Sequence, residues 1–274
     1  MLTPSEFVGS YALIGQKKTK APAMKLLALG ILAGFLIGMG AAVTNTAGAA
    51  LTNPSVAKIV SGLLFPFGLI MVILTGAELF TGNCLITISC LEKKADVPGM
   101  LRNWLFVYIG NFIGSILLAV ALAFSGQMNI GNGAVATYTM KVAAGKCALT
   151  LGDAFVLGIL CNILVCIAVM QALSSKNTIG RAIGAYLPIA FFVICGFEHS
   201  VANMTYISAG LFAKLVPAYT QAAADAGLDI SALTWGNFLL KNLLPVTLGN
   251  IVGGCGYAAL VWFGHAVRTS LEDN

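Results

Sequence analysis

Charged residues are scarce in this chain of 274 residues, and their scarcity excludes a soluble globular domain. Asp, Glu, Lys and Arg together make up 9% of the sequence and hydrophobic residues make up 58%, with a mean hydropathy of +0.91. A soluble domain carries about 25% charged residues. The composition therefore predicts a membrane protein.

Histidine is nearly absent, and cysteine shows no metal-binding pattern. Two histidines are too few for a histidine-based metal site. The seven cysteines lie mostly within apolar runs, where they are typical of small buried hydrophobic residues and indicate no disulfide framework. We therefore expect no metal, no cofactor and no enzyme activity.

Four long stretches contain no charged residue at all, and each can hold a transmembrane helix of about 20 residues. They lie between Lys25 and Lys58, from Asn103 to Met140, from Ala154 to Ser175 and from Asn242 to Val267. The predicted helices run from about Lys25 to Asn45, Pro98 to Phe124, Leu151 to Leu173 and Asn237 to His265.

One polar motif occurs twice inside apolar sequence. The segments from Gly76 to Asn83 and from Gly196 to Asn203 both read G-x-E-x-x-x-x-N. An ionisable residue at membrane depth is costly, so such a segment usually lines a pathway. Matching interrupted segments in two halves are the sequence sign of an inverted-repeat transporter.

The apolar segments that contain these motifs have an awkward length. Residues 56–91 would form a straight helix of about 54 Å, against a hydrocarbon core of about 30 Å. Residues 182–213 present the same difficulty. We therefore predict that helices 2 and 5 are broken into two half-helices joined by an irregular loop that lines a cavity.

Other blocks recur in the same order, which extends the repeat to the whole membrane domain. Residues 103–114 match residues 242–253, and Leu29-Gly30-Ile31-Leu32 matches Leu157-Gly158-Ile159-Leu160. Helices 1–3 thus correspond to helices 4–6, and an odd number of spans makes the two halves inverted. The prediction is an all-α membrane protein with six transmembrane helices in an inverted 3+3 repeat. G-x-x-x-G runs at 34–38, 110–114 and 249–253 predict close helix packing, chiefly within one subunit.

These elements divide the chain into five predicted regions. They are an N-terminal segment at 1–24, a first repeat at 25–124, an extracytoplasmic loop at 125–150, a second repeat at 151–266 and a C-terminal tail at 267–274. No cleavable signal peptide is evident, and Met1 to Lys20 resembles an amphipathic helix at the membrane surface.

The net charge of +5 follows the positive-inside rule rather than nucleic-acid binding. Ten basic residues fall in the predicted inside segments: Lys17, Lys18, Lys20, Lys25, Lys93, Lys94, Arg102, Lys176, Arg181 and Arg268. Five fall outside: Lys58, Lys141, Lys146, Lys214 and Lys241. We expect a multi-pass protein of a bacterial-type inner membrane with both termini in the cytoplasm.

Four segments together resemble the formate/nitrite transporter family. They are Phe80-Thr81-Gly82-Asn83, residues 196–204, Cys161-Asn162-Ile163-Leu164-Val165-Cys166 and Pro245-Val246-Thr247-Leu248-Gly249-Asn250. The resemblance covers about residues 22–265. It implies a homopentamer of aquaporin-like protomers in membrane lipid, each with a pore for formate, nitrite, hydrosulfide or related anions and their acids.

The resemblance also assigns roles to individual residues. It places the substrate pathway at Thr81, His199 and Asn203, with a vestibule lysine at Lys146. It implies two apolar constrictions, one formed by Leu69, Leu79, Phe80 and Val165 and the other by Phe65 and Phe192. The shared motif residues Gly76, Gly196, Glu78, Glu198 and Asn83 would support the loops, with the glutamates accepting hydrogen bonds from loop backbone amides.

A bare anion in an apolar constriction faces a desolvation cost of several kcal/mol or more. Passage as the neutral acid avoids most of this cost. The hypothesis is that Lys146 attracts the anion, that His199 or water supplies a proton, and that the Thr81 hydroxyl bonds His199 or the substrate.

Two other interpretations are open. Nitrite or hydrosulfide could replace formate as the substrate, since the sequence does not rank them. A neutral-solute channel of the aquaporin type also has half-helices and an inverted repeat. However, it expects Asn-Pro-Ala in both halves, and Asn53-Pro54-Ser55 occurs once, without a partner. A membrane enzyme using Glu198 and His199 lacks a nucleophile or second base.

Overall fold

The computed structural model describes residues 1–265, and this part of the chain is helical with no β-strand. The tail predicted at 267–274, including Arg268, lies outside the described residues. The twelve α-helices are α1 Pro4–Lys20, α2 Ala23–Gly48, α3 Pro54–Leu64, α4 Pro66–Thr75, α5 Ile86–Leu91, α6 Val97–Phe124, α7 Ala134–Cys147, α8 Leu151–Ser174, α9 Thr178–Cys195, α10 Ser200–Ala213, α11 Pro217–Asp225 and α12 Leu244–His265. Short 3₁₀ turns occupy Gly82–Leu85 and Gln127–Asn129, and a π-helical turn at Asn237–Leu243 leads into α12.

Six stretches of the described chain are long and apolar enough to cross a membrane. They are Ala23–Gly48, Pro54–Thr75, Val97–Phe124, Leu151–Ser174, Thr178–Cys195 and Asn237–His265. The four helices predicted from charge-free sequence therefore exist, with ends within three residues of those expected.

Polar caps fix where many of these helices begin. Asn53 accepts hydrogen bonds from the backbone of Ser55 and Val56 at the start of α3, and Pro54 occupies the first helical position. Asp96, Thr150 and Asn177 cap α6, α8 and α9 in the same way. The caps satisfy backbone N–H groups that a helix start leaves without partners.

Both predicted interruptions are present. Gly76 caps the C-terminal end of α4 and Gly196 caps that of α9, and both glycines adopt the left-handed conformation, with φ of 70° and 74°. Glycine is required there because a Cβ disfavours positive φ. The pieces are unequal, since α3 and α4 together form a stretch of 22 residues whereas Gly82–Leu91 is short. The first piece of helix 2 is therefore a full span rather than the predicted half-helix. The aquaporin likeness stays a prediction.

Two further expectations about the ends of the repeats were incomplete. The segment 125–150, predicted as a loop, contains the 14-residue helix α7. The N-terminal segment does form a helix, and its apolar side is covered by protein, since Phe7 and Tyr11 are each 1% exposed. Helix α1 packs on α5, α6 and α12.

Glycines allow the main helix pairs to pack backbone against backbone. Helix α2 packs most extensively on α6, and α8 packs on α12. A Cβ at Gly34 would overlap the backbone of Asn111, and one at Gly249 or Gly253 would overlap the carbonyl oxygen of Phe155 or Ile159. The G-x-x-x-G runs thus serve packing within one chain, as predicted.

We expect Gly249→Ala to destabilise the protein by about 1–3 kcal/mol, because the new methyl group forces α12 away from α8. The measurement is the midpoint of thermal denaturation in detergent. Gly256→Ala is the matched control on the same helix, since nothing lies within 4 Å of a Cβ there. Equal midpoints for the two variants would show that the helices are not held at this distance.

Candidate functional site

The two chain breaks are built on the same hydrogen bonds. Beyond Gly76, the Ala77 amide bonds the Val72 carbonyl (3.0 Å) and the Glu78 amide bonds Leu29 (3.2 Å). Beyond Gly196, the Phe197 amide bonds Phe192 (2.9 Å) and the Glu198 amide bonds Leu157 (3.3 Å). The amides freed by each break are thus paired within the protein, as low dielectric requires.

A fully buried asparagine holds each break in place. The Asn111 amide group donates to the carbonyl oxygens of Gly30 and Glu78, both at 2.9 Å, and its Oδ1 accepts from the Phe80 amide at 2.9 Å. Asn250 repeats this in the second half.

In that second half the Asn250 amide group donates to Gly158 (2.8 Å) and Glu198 (3.0 Å), and its Oδ1 accepts from the Ser200 amide (2.9 Å). Each asparagine therefore ties the break of one helix to a neighbouring helix through three hydrogen bonds.

Each glutamate of the motif is the centre of a buried ion pair. Lys18 Nζ lies 2.8 and 2.7 Å from the two oxygens of Glu78, and Lys146 Nζ lies 2.6 Å from Glu198 Oε1. The glutamates were predicted to accept from loop backbone amides, and this was wrong. Within residues 1–265 their hydrogen-bond partners are lysine and asparagine side chains.

Asparagines complete both ion-pair networks in the same way. Asn83 donates to Glu78 (2.7 Å) and to Asn103 (2.8 Å). Asn203 donates to Glu198 (2.6 Å) and to Asn242 (2.8 Å). Asn203 was expected in the substrate pathway, but its amide group supports the loop. Asn203 also lines the cavity described below, and its Oδ1 has no hydrogen-bond partner among the described residues.

The ion pair of Lys18 was not predicted from the sequence motifs, although the sequence contains a signal for it. Lys18 lies eleven residues before Leu29, and Lys146 lies eleven residues before Leu157, so both lysines keep one register with the repeated Leu-Gly-Ile-Leu block. The structural repeat therefore includes α1 and α7, one helix more per half than predicted.

Thr81 of the first motif and His199 of the second each have a different residue at the matching position of the other motif. The two side chains meet where the breaks come together. Thr81 Oγ1 lies 2.8 Å from His199 Nε2. His199 also caps α10, since its Nδ1 accepts from the Ala202 amide at 3.1 Å. Nδ1 therefore carries no proton, so in the neutral ring Nε2 carries it and donates to Thr81. The Thr81 hydroxyl proton is then directed at another acceptor.

A cavity of about 420 Å³, here called the vestibule, reaches His199 from one face of the protein. Its floor includes Phe65 and Phe192, whose rings meet edge to face with centroids 5.7 Å apart. The Phe192 ring also stacks on His199, with centroids 5.9 Å apart. These contacts place the second predicted constriction next to the histidine.

The other predicted constriction lies on the Thr81 side. Leu69, Leu79, Phe80 and Val165 are all buried in the core. Phe80 packs edge to face on Trp104 and Tyr108, with centroids 5.9 and 4.9 Å away. Helix α1 covers this side, where the Tyr11 hydroxyl donates to the carbonyl oxygen of Gly82 (3.4 Å).

Metal-binding clusters of His, Cys, Asp and Glu are absent from residues 1–265. The described residues combine buried apolar side chains on both sides of one hydroxyl–imidazole pair with a basic vestibule. Such a set suits passage of a small polar solute.

A family model described as formate/nitrite transporter matches residues 5–264. The chain belongs to the formate/nitrite transporter family. This confirms the family suggested by the sequence motifs.

Two curated relatives illustrate the similarity. A protein named "Probable formate transporter" from Methanothermobacter thermautotrophicus is 35% identical over 95% of this chain and 96% of its own length. "Formate channel FocA" from Haemophilus influenzae is 39% identical over 87% of this chain and 85% of its own.

Solved structures of family members share the fold. A structure titled "Pentameric formate channel with formate bound" has a TM-score of 0.79 and 34% identity, and covers 88% of this chain and 96% of that one. One titled "FNT family ion channel" has a TM-score of 0.77 and 27% identity, with 95% and 97% covered.

We expect Lys146→Met to lower stability by about 3 kcal/mol, because it leaves the Glu198 carboxylate buried without its counter-charge. Adding Glu198→Gln should recover part of this loss, since an amide oxygen can still accept from Asn203 and Asn242. The measurement is the midpoint of thermal denaturation.

Lys241→Met serves as the control, because Lys241 is exposed at the same end of the bundle and does not line the vestibule. A double variant no more stable than Lys146→Met would contradict the ion-pair account.

Proposed function

We propose that this protein is a transmembrane channel for small monovalent anions and their conjugate acids, with formate as the default substrate. It acts as a homopentamer in a bacterial-type inner membrane, with both termini in the cytoplasm. The observation that carries the proposal is the hydrogen bond between Thr81 and His199, set between apolar rings and reached through a basic vestibule. The formate channels among its relatives support the choice of substrate.

The proposed path separates attraction of the anion from its passage. Lysines of the vestibule concentrate the anion, and the aromatic pair Phe65 and Phe192 strips its water. At this point a proton converts formate into formic acid, which crosses the apolar rings without the desolvation cost of an ion. The Thr81 hydroxyl donates to the substrate while His199 Nε2–H supports it.

The hydrogen bond from Ala202 to Nδ1 bears on where that proton originates. A doubly protonated His199 would place two N–H groups against each other at Nδ1 and lose a hydrogen bond of about 1 kcal/mol. This favours water of the vestibule over His199 as the proton source, with His199 acting as a neutral donor. Both sources were open from the sequence.

Nitrite and hydrosulfide are the alternative substrates within the same mechanism. An aquaporin-like neutral-solute channel has less support, because a neutral solute gives no role to the lysines around the vestibule. Purified protein in liposomes separates these classes. Formate uptake above that of glycerol or water supports the proposal, and solute flux without any response to anions overturns it.

We expect Thr81→Val to reduce formate flux in liposomes at least tenfold, because valine keeps the volume of threonine and removes the donor that meets the substrate. Thr75→Val is the matched control, since the Thr75 hydroxyl is exposed and bonds the Met71 carbonyl oxygen of its own helix. Unchanged flux in Thr81→Val would remove the hydroxyl from the mechanism.

Passage as the neutral acid also predicts one proton per formate. A pH-sensitive dye inside the liposomes should report acidification in step with formate entry, and uptake should increase as external pH falls. His199→Phe tests the proton source: flux that keeps its pH dependence between pH 5 and 8 assigns the proton to water. Formate entry without acidification would contradict neutral-acid passage altogether.

A further inference from the structure

Three lysines line the vestibule, and they differ in how their charge is balanced. Lys58, Lys141 and Lys146 face it together with one carboxylate, Glu198. Glu198 forms its ion pair with Lys146 at 2.6 Å. Within residues 1–265, no ion pair or side-chain hydrogen bond is found for the ammonium groups of Lys58 and Lys141. The positive charge that an incoming anion meets therefore comes from these two residues.

Lys58 lies next to Gly196, at the chain break of the second half. It lies near the start of α3 and is exposed, and its Nζ is 3.2 Å from the position that a Cβ would occupy at Gly196. Glu198 and His199 follow two and three residues after this glycine. An anion bound to Lys58 would therefore lie beside Gly196, at the chain break that leads to Glu198 and His199.

The internal repeat distinguishes scaffold lysines from vestibule lysines. Lys146 has a counterpart in Lys18, which makes the equivalent ion pair with Glu78 in the first half. Lys58 lies 18 residues before Gly76, and the same count back from Gly196 reaches Thr178.

Lys141 likewise has no charged counterpart. It lies five residues before Lys146, and the residue five before Lys18 is Leu13. Charge at these two positions is therefore not needed to build the repeat. It makes one face of the protein more basic than the repeat alone requires.

We propose that Lys58, assisted by Lys141, holds the incoming anion in the vestibule, and that the ion-paired Lys146 does not. This inference rests on the proposed function, because it names the residues that recruit its substrate. Exposed ammonium groups bind a small anion weakly and leave it partly hydrated. They therefore raise the local concentration of the anion and still allow it to dissociate and move on.

The test measures formate uptake from each face separately. Right-side-out and inside-out membrane vesicles from bacterial cells that lack their own formate channels present the two faces in turn. From the vestibule face, Lys58→Gln should raise the half-saturation concentration about fivefold, the factor for one unit charge at about 4 Å in water. The maximum rate of uptake from the vestibule face should not change. Lys141→Gln should act in the same direction.

Added salt gives a second readout, because it screens exposed charges. The half-saturation concentration of the wild-type protein should rise with ionic strength, and that of Lys58→Gln should rise less. Lys58→Arg keeps the charge and should behave like the wild-type protein. Lys241→Gln, an exposed lysine outside the vestibule, should have no effect.

The outcomes separate this inference from the proposed function. Wild-type vesicles that take up no formate would overturn the proposed function. Binding at Lys58 would still be tested with detergent-purified protein, where the formate NMR line should be broader with the wild-type protein than with Lys58→Gln. Normal wild-type uptake with Lys58→Gln indistinguishable from Lys241→Gln would overturn the role of Lys58. A lower maximum rate at unchanged half-saturation would also overturn it.

Discussion

The rest of this structure depends on satisfying backbone groups where two membrane helices are broken. Each broken helix leaves amides and carbonyls without partners at a depth where water is scarce, and each unsatisfied group costs several kcal/mol. Asn111 and Asn250 meet this constraint with three hydrogen bonds each, all between 2.8 and 3.0 Å. A single buried side chain thus makes an irregular segment compatible with the membrane interior, and it does so identically in both halves.

A second layer of the scaffold connects each break to a helix outside the six spans. The Lys18–Glu78 pair attaches α1, and the Lys146–Glu198 pair attaches α7. Buried ion pairs contribute little net stability but are costly to break, so they fix position more than they add energy. Because Asn103 and Asn242 also bond the lysine backbones, at 3.2 and 3.0 Å, the position of each outer helix is coupled to the position of its break.

Much of this architecture could be predicted from the sequence, because membrane insertion and the repeat constrain it strongly. Charge-free stretches gave four spans, and the paired glycine motifs located both breaks. Helix α7 could not be predicted because its composition is not apolar enough to indicate a span. The role of Lys18 becomes visible only when the alignment of the two halves is continued from the Leu-Gly-Ile-Leu blocks back to Lys18 and Lys146. The lysine partners of Glu78 and Glu198 could not be predicted from the motifs, because they lie 60 and 52 positions away in sequence, and such contacts follow from tertiary packing.

Residues that both motifs share build the scaffold, and residues that occur in one motif only form the proposed functional site. Glycine, glutamate and asparagine are repeated because both breaks need them, whereas Thr81 and His199 occur once each and meet at 2.8 Å. A permanently charged group at this point would bind an anion tightly and slow its exit, since conduction requires weak binding along the path. A neutral imidazole held by the Ala202 amide avoids this. In the proposed mechanism, charge then belongs in the vestibule, where hydration weakens it, and hydrogen-bond donors belong at the centre, where a weakly polar acid needs only one partner to pass.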